Sequence, residues 1–159
     1  MDNEEILDES FFADGKVFTK GHIIWAAVLG GPLAIAYMFS SNFKVFKQQN
    51  MVLRAWLVAF SIYLGVIYLS SVFPLLENLP SIFYTLAFAF ISNRFFMIYQ
   101  AFLADDHISK GGSTQSGFAV FLVILFGFIA TIGLVLGVMY LMDPEGLRLI
   151  WEEVNRASS

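Results

Sequence analysis

Four long apolar runs, separated by short polar breaks, make up most of this chain. The first, Ile23 to Phe39, reads IIWAAVLGGPLAIAYMF and is interrupted near its middle by Gly30, Gly31 and Pro32. A second extends from about Ala55 to Phe73 and stops at Pro74. The third starts near Ser81, meets Ser92, Asn93 and Arg94, and resumes through FFMIYQAFL to Leu103. Phe118 to Met142 is the longest. A helix needs about 20 apolar residues to cross a bilayer. The pattern therefore predicts an all-α integral membrane bundle of about four transmembrane segments, at 23–40, 55–73, 81–103 and 118–142. A polar acidic tail (1–22) precedes them and a short amphipathic helix and tail (143–159) follow.

Two structures compete for the first run, which is slightly short and carries Gly-Gly-Pro near its centre. In one it is a kinked spanning helix, with Pro32 unable to donate to the Val28 carbonyl and the glycines admitting a neighbouring helix. Trp25 and Tyr37 then anchor it at the two interfaces. In the other the chain turns back at Gly30-Gly31 as a re-entrant hairpin, whose freed backbone groups must be buried in protein or face water. Spanning segments are the commoner solution, so the kinked helix is the expectation. Charge pulls the other way. With the N-terminus outside, Lys44, Lys47, Arg54, Arg94 and Lys110 fall in the cytoplasm, five of the nine Lys and Arg; a hairpin adds Lys16 and Lys20, giving seven against two. In both cases the basic stretch from Ser41 to Arg54 and the loop from Asp105 to Gly117 are expected on the cytoplasmic side.

Arg94 lies about 20 Å along a helix that starts after Pro80, so its guanidinium can snorkel to headgroups or face the bundle interior. No carboxylate occurs between His22 and Glu77 or between Asn78 and Ala104 to pair with it. His22, at the edge of the first run, is expected at headgroup level. Asp105, Asp106 and His107 look like a metal or acid-base cluster, but consecutive residues at a helix end point in different directions and no second cluster completes a coordination shell. The segment SKGGSTQSG, Ser109 to Gly117, reads as a linker. In the fourth run Gly127, Ala130, Gly133 and Gly137 recur along one helix face as a groove for another helix, Gly133 and Gly137 forming GxxxG. Asp143-Pro144 resembles a helix start, after which Leu147, Ile150, Trp151 and Val154 make one apolar face.

Composition agrees with the bilayer. Of 159 residues 58% are hydrophobic and 14% charged, and 18 are Phe, with a mean hydropathy of +0.71. There is no Cys, which removes disulfides, thiolate metal sites and thiol nucleophiles together. The net charge of −4 gives a nucleic-acid role no electrostatic support. A secretory signal's basic start and immediate apolar core are missing from the N-terminus.

The stretch VFTKGHIIWAAVLGGPLAIAYMFSSNF resembles the opening of an uncharacterised family of small bacterial multi-pass inner-membrane proteins. Its marks are a Gly-Gly-Pro-Leu-Ala core, here Gly30 to Ala34, and an Asn followed by an aromatic, here Asn42-Phe43. A later His with paired glycines and a Ser is similar to His107, Gly111, Gly112 and Ser116. The resemblance implies an inner-membrane location and no activity. The expectation for function is a non-enzymatic membrane protein, an accessory or partner-binding subunit without cofactor or metal, in contact with lipid and with a second copy or another membrane protein. The alternative is a small oligomeric transporter or channel using the Gly30-Gly31-Pro32 break with Asn93 and Arg94.

Overall fold

The structure is a computed structural model that describes residues 15–73, 80–142 and 144–157. The apolar pairs Ile6-Leu7 and Phe11-Phe12, the turn around Glu77 and the Asp143 cap lie outside the described residues. In chain order the elements are β1 (Lys16–Val17), α1 (Lys20–Trp25), a π-helical turn (Ala26–Gly30), α2 (Gly31–Val45), α3 (Gln49–Val72), α4 (Ser81–Tyr99), α5 (Ala101–Ser109), β2 (Ser113–Thr114), α6 (Gly117–Met142) and α7 (Pro144–Ala157). Four helical stretches, Lys20–Val45, Gln49–Leu69, Ile82–Tyr99 and Gly117–Val138, are long and apolar enough to cross a membrane.

The first of them does not run straight. The backbone N–H of Phe18 donates to Asn42 Oδ1 at 2.7 Å, across 24 positions of sequence. A straight helix would hold those residues about 36 Å apart, so α1 and α2 must be the two antiparallel arms of a hairpin. The reversal is at Gly31, whose φ of +70° and ψ of −172° belong to a region open essentially to glycine alone. Pro32 follows in the first turn of α2, where its fixed φ suits a helix start and its missing N–H costs nothing. The kinked spanning helix expected for Ile23 to Phe39 is thus replaced by a hairpin with Gly30-Gly31-Pro32 at its tip. Its arms, 11 residues (6 in α1 and 5 in the π turn) and 15 residues, are each shorter than a bilayer crossing requires.

The hairpin is the centre of the molecule. In its most apolar window 61% of residues are buried, against 11% in each of the other three long helices. α3 packs along the returning arm, α4 along the outgoing arm, and α6 crosses both near the tip, while these three helices scarcely touch one another. The buried core accordingly comes largely from one stretch: Phe18, Ile23, Ala26, Ala34, Met38 and Phe43.

Several boundaries differ from the sequence reading. The basic stretch expected as a turn over Ser41 to Arg54 is mostly helix, and only Phe46 to Gln48 turn. There Gln48 N–H reaches the Phe43 carbonyl (2.8 Å) and Lys47 N–H the Lys44 carbonyl (3.1 Å), a Schellman closure with Lys47 at φ +54° in the left-handed position usually held by Gly. The third run, expected to Leu103, breaks at Gln100 and continues as α5. The described part of the stretch expected as an N-terminal tail is folded, since β1 pairs in parallel with β2 in the register Lys16↔Ser113 and Val17↔Thr114. That pairing makes the expected linker Ser109 to Gly117 a fixed part of the structure. α7 forms as expected, with Trp151 and Val154 exposed and Arg148 paired with Glu152 one turn on at 3.2 Å.

Candidate functional site

Polar chemistry is concentrated at the open end of the hairpin, where β1, α2, the α4–α5 junction and the loop before α6 converge. Asn42 is fully buried and its carboxamide stands in for a strand. Oδ1 accepts from Phe18 N–H (2.7 Å), and Nδ2 donates to both the Phe18 carbonyl (2.8 Å) and Gln100 Oε1 (2.9 Å). The amide can sit only one way round, because the Phe18 N–H requires an acceptor. Gln100, 1% exposed, passes the network on by donating from Nε2 to the Phe39 carbonyl at 3.0 Å. Two carboxamides therefore tie the start of the hairpin, its return arm and the α4–α5 break into one unit.

His107 forms the second half of this clamp. Its ring is fully buried, edge-on to Phe46 at 6.5 Å between centroids, with Nε2 3.2 Å from the Gly15 carbonyl. As the donor in that pair, Nε2 carries the proton; Nδ1 is then a buried acceptor with no partner among the described residues. The paired glycines have separate jobs. Gly111, at φ +87°, takes the left-handed position that closes α5, and Gly112 N–H caps the His107 carbonyl at 2.9 Å. A methyl group on Gly112 would collide with the His107 imidazole. Ser116 Oγ accepts from Ala119 N–H at 3.2 Å, an N-cap for α6.

The structure separates most of the other sequence candidates. Gly30 sits at the hairpin tip against the α6 backbone, where an added methyl would lie 3.1 Å from Ile124 Cα, and Gly31 faces Thr131. Pro32 borders an apolar cavity between α2, α3 and α4. A methyl added at Gly133 or Gly137 would meet nothing within 4 Å among the described residues outside its own helix backbone; the close approach on α6 is at Gly127, where a methyl would lie 2.9 Å from Ala34 N. Arg94 is exposed on α4, its guanidinium over the Phe90 ring at 5.4 Å. Asn93 is half-buried, with Oδ1 unpartnered among the described residues. Asp105, Asp106 and His107 diverge: Asp106 pairs with Lys110 at 2.9 Å on the surface, while His107 turns inward. His22 is a helix-start residue, Nδ1 accepting from Thr19 N–H at 3.2 Å.

Sequence reasoning missed Gln100, which lay inside an apolar run with nothing to mark it as a hinge. It also missed Tyr63 and Thr131 near the tip, where Tyr63 OH donates to the Thr131 carbonyl at 3.4 Å. Where the outer helices scarcely touch one another, apolar openings remain beside the hairpin. One of about 240 Å³ lies between α2, α3 and α4, and one of about 650 Å³ between α2, α3 and α6. Comparison with protein-family models, curated proteins and solved structures finds no match to this chain.

Proposed function

We propose that this chain is a multi-pass membrane protein, without catalytic activity, that serves as an accessory or partner-binding subunit. In this reading α3, α4 and α6 cross the bilayer and the α1–α2 hairpin is re-entrant, entering and leaving on the side of the clamp. The observation that carries it is the division of polar and apolar groups. The buried carboxamides of Asn42 and Gln100 bond to this chain's own backbone and to each other. The outer helices present large apolar side chains to their surroundings, among them Leu57, Leu64, Phe90 and Phe126. Water would not tolerate that surface, whereas lipid or a partner helix would cover it.

Charge supports the same arrangement. Lys16, Lys20, Lys44, Lys47, Arg54, Arg94 and Lys110 all lie toward the clamp end, against Arg148 and Arg156 beyond the far end of α6, so the clamp faces the cytoplasm by the positive-inside rule. The bacterial inner-membrane location implied by the family resemblance belongs to this proposal. The transporter alternative draws no comparable support: the Gly30-Gly31-Pro32 tip packs against α6, while Arg94 stands outside on Phe90, and the opening beside Pro32 has an almost wholly apolar lining.

Purification from native membranes after crosslinking tests the reading. A stoichiometric membrane partner, or a homodimer held through the α6 glycine face, is the expected result. A homogeneous oligomer carrying a bound polar solute would instead establish the transporter.

A further inference from the structure

The opening between α2, α3 and α4 has a direction. Along α2 its wall runs from Pro32 at the hairpin tip through Ile35, Phe39 and Phe43 toward the clamp; along α3 it runs from Ile62 back through Ala59 and Ala55 to Arg54 and Met51. α4 closes the other side from Phe88 through Ser92 and Phe95 to Tyr99. All three stripes thus go from a purely hydrocarbon deep end to a shallow end that carries the one charged lining residue, Arg54, with no carboxylate among the lining residues. From Pro32 to Phe43 is about 16 Å of helix, close to half of a hydrocarbon core about 30 Å thick. The groove is one leaflet deep. Arg54 is exposed, and its Nη1 donates to the Met51 thioether at 3.7 Å; sulfur is a weak acceptor and leaves most of the five guanidinium donors for a stronger one.

We infer that this groove is a binding site for a single anionic phospholipid of the clamp-side leaflet. One acyl chain lies against Ala55, Ala59 and Phe39 and reaches toward Pro32, and the phosphate, whose negative charge no headgroup cation offsets, meets Arg54. Small residues on α3 supply the room for the chain, and the planar guanidinium suits bidentate contact with phosphate oxygens. The inference rests on the membrane reading above, and the following experiment tells the two apart.

The full chain, purified in mild detergent, is examined by native mass spectrometry after addition of phosphatidylglycerol or phosphatidylcholine with identical tails, alongside alkaline carbonate extraction of the source membranes. One phosphatidylglycerol retained per chain, in preference to phosphatidylcholine, is expected. Arg54→Gln should reduce that preference about fivefold, the equivalent of one cation near an anionic surface. Arg94→Gln, on a cation that does not line the groove, should leave it unchanged. Val58→Trp fills the groove from its exposed side and should lower retention of both lipids; an unchanged elution profile and helical content show that it folds. Equal retention of the two lipids, loss of preference in Arg94→Gln to the same degree as in Arg54→Gln, or undiminished binding in folded Val58→Trp overturns the lipid site. If that happens while the chain resists carbonate extraction, the membrane reading stands alone; release by carbonate overturns both.

Discussion

Asn42 shows how much a single side chain decides here. It satisfies both backbone groups of Phe18 and one oxygen of Gln100 while fully buried, so truncation would leave three polar groups without partners. At about 1–3 kcal/mol for each unsatisfied buried group, offset in part by relaxation, Asn42→Ala should cost about 3 kcal/mol or more. Thermal unfolding in detergent followed by tryptophan fluorescence would show it, and a midpoint within a degree of the parent would contradict the clamp. Gly112 makes the complementary case, since its replacement adds atoms. Gly112→Ala should destabilise by about 1–3 kcal/mol because the new methyl occupies the space of the His107 ring. Gly117→Ala, at a position with open space around it, is the matched control and should be near neutral. Asn42, His107 and Gly112 stand out in the sequence only as polar or small residues at the edges of apolar runs; the chemistry of Asn42 and His107 was not legible there, because their partners Phe18 and Gly15 lie 24 and 92 positions away.

Among elements, the crossing of α6 over the hairpin discriminates between glycines that look alike in sequence. Gly127 meets Ala34, whereas a side chain added at Gly133 or Gly137 would point into open space among the described residues. Gly127→Leu should therefore disrupt the fold of the isolated chain, lowering its unfolding midpoint by the equivalent of about 3 kcal/mol. Gly133→Leu and Gly137→Leu should leave that midpoint unchanged and act only on association, read from crosslinked dimer yield. A large stability loss in Gly133→Leu would mean that α6 sits on the hairpin in another rotation. The spacing of small residues showed that α6 has a face built for close approach; which turn of that face meets the hairpin depends on where Gly30 and Ala34 lie, which the spacing does not contain.

For the molecule as a whole, the hairpin changes which ends share a side. Lys16, Gln49 and Ser113 belong to the clamp end, and Asn155 lies in α7 after the last long helix. With no native Cys, single replacements at these four exposed positions can be labelled on intact cells with a membrane-impermeant thiol reagent. Asn155→Cys should label; Lys16→Cys, Gln49→Cys and Ser113→Cys should label only after lysis. Labelling of Lys16→Cys alone among those three would restore a fully crossing first segment, and labelling of Gln49→Cys would invert the orientation.

The sequence by itself determined the helical character, the four long apolar stretches, the place of the Gly-Gly-Pro interruption and the bias of positive charge, because each depends on local composition or on spacing within one helix. Its charge arithmetic even pointed to the hairpin that the commonness of fully spanning segments argued against. Tertiary structure alone decided the reversal at Gly31, since glycine permits the φ of +70° without requiring it. What selects that conformation is the set of distant bonds it makes possible, Phe18 to Asn42 and Asn42 to Gln100 at one end and Gly31 against Thr131 at the other. Those partners lie before α1, in α2, at the α4–α5 junction and in α6, so no window of sequence holds them together.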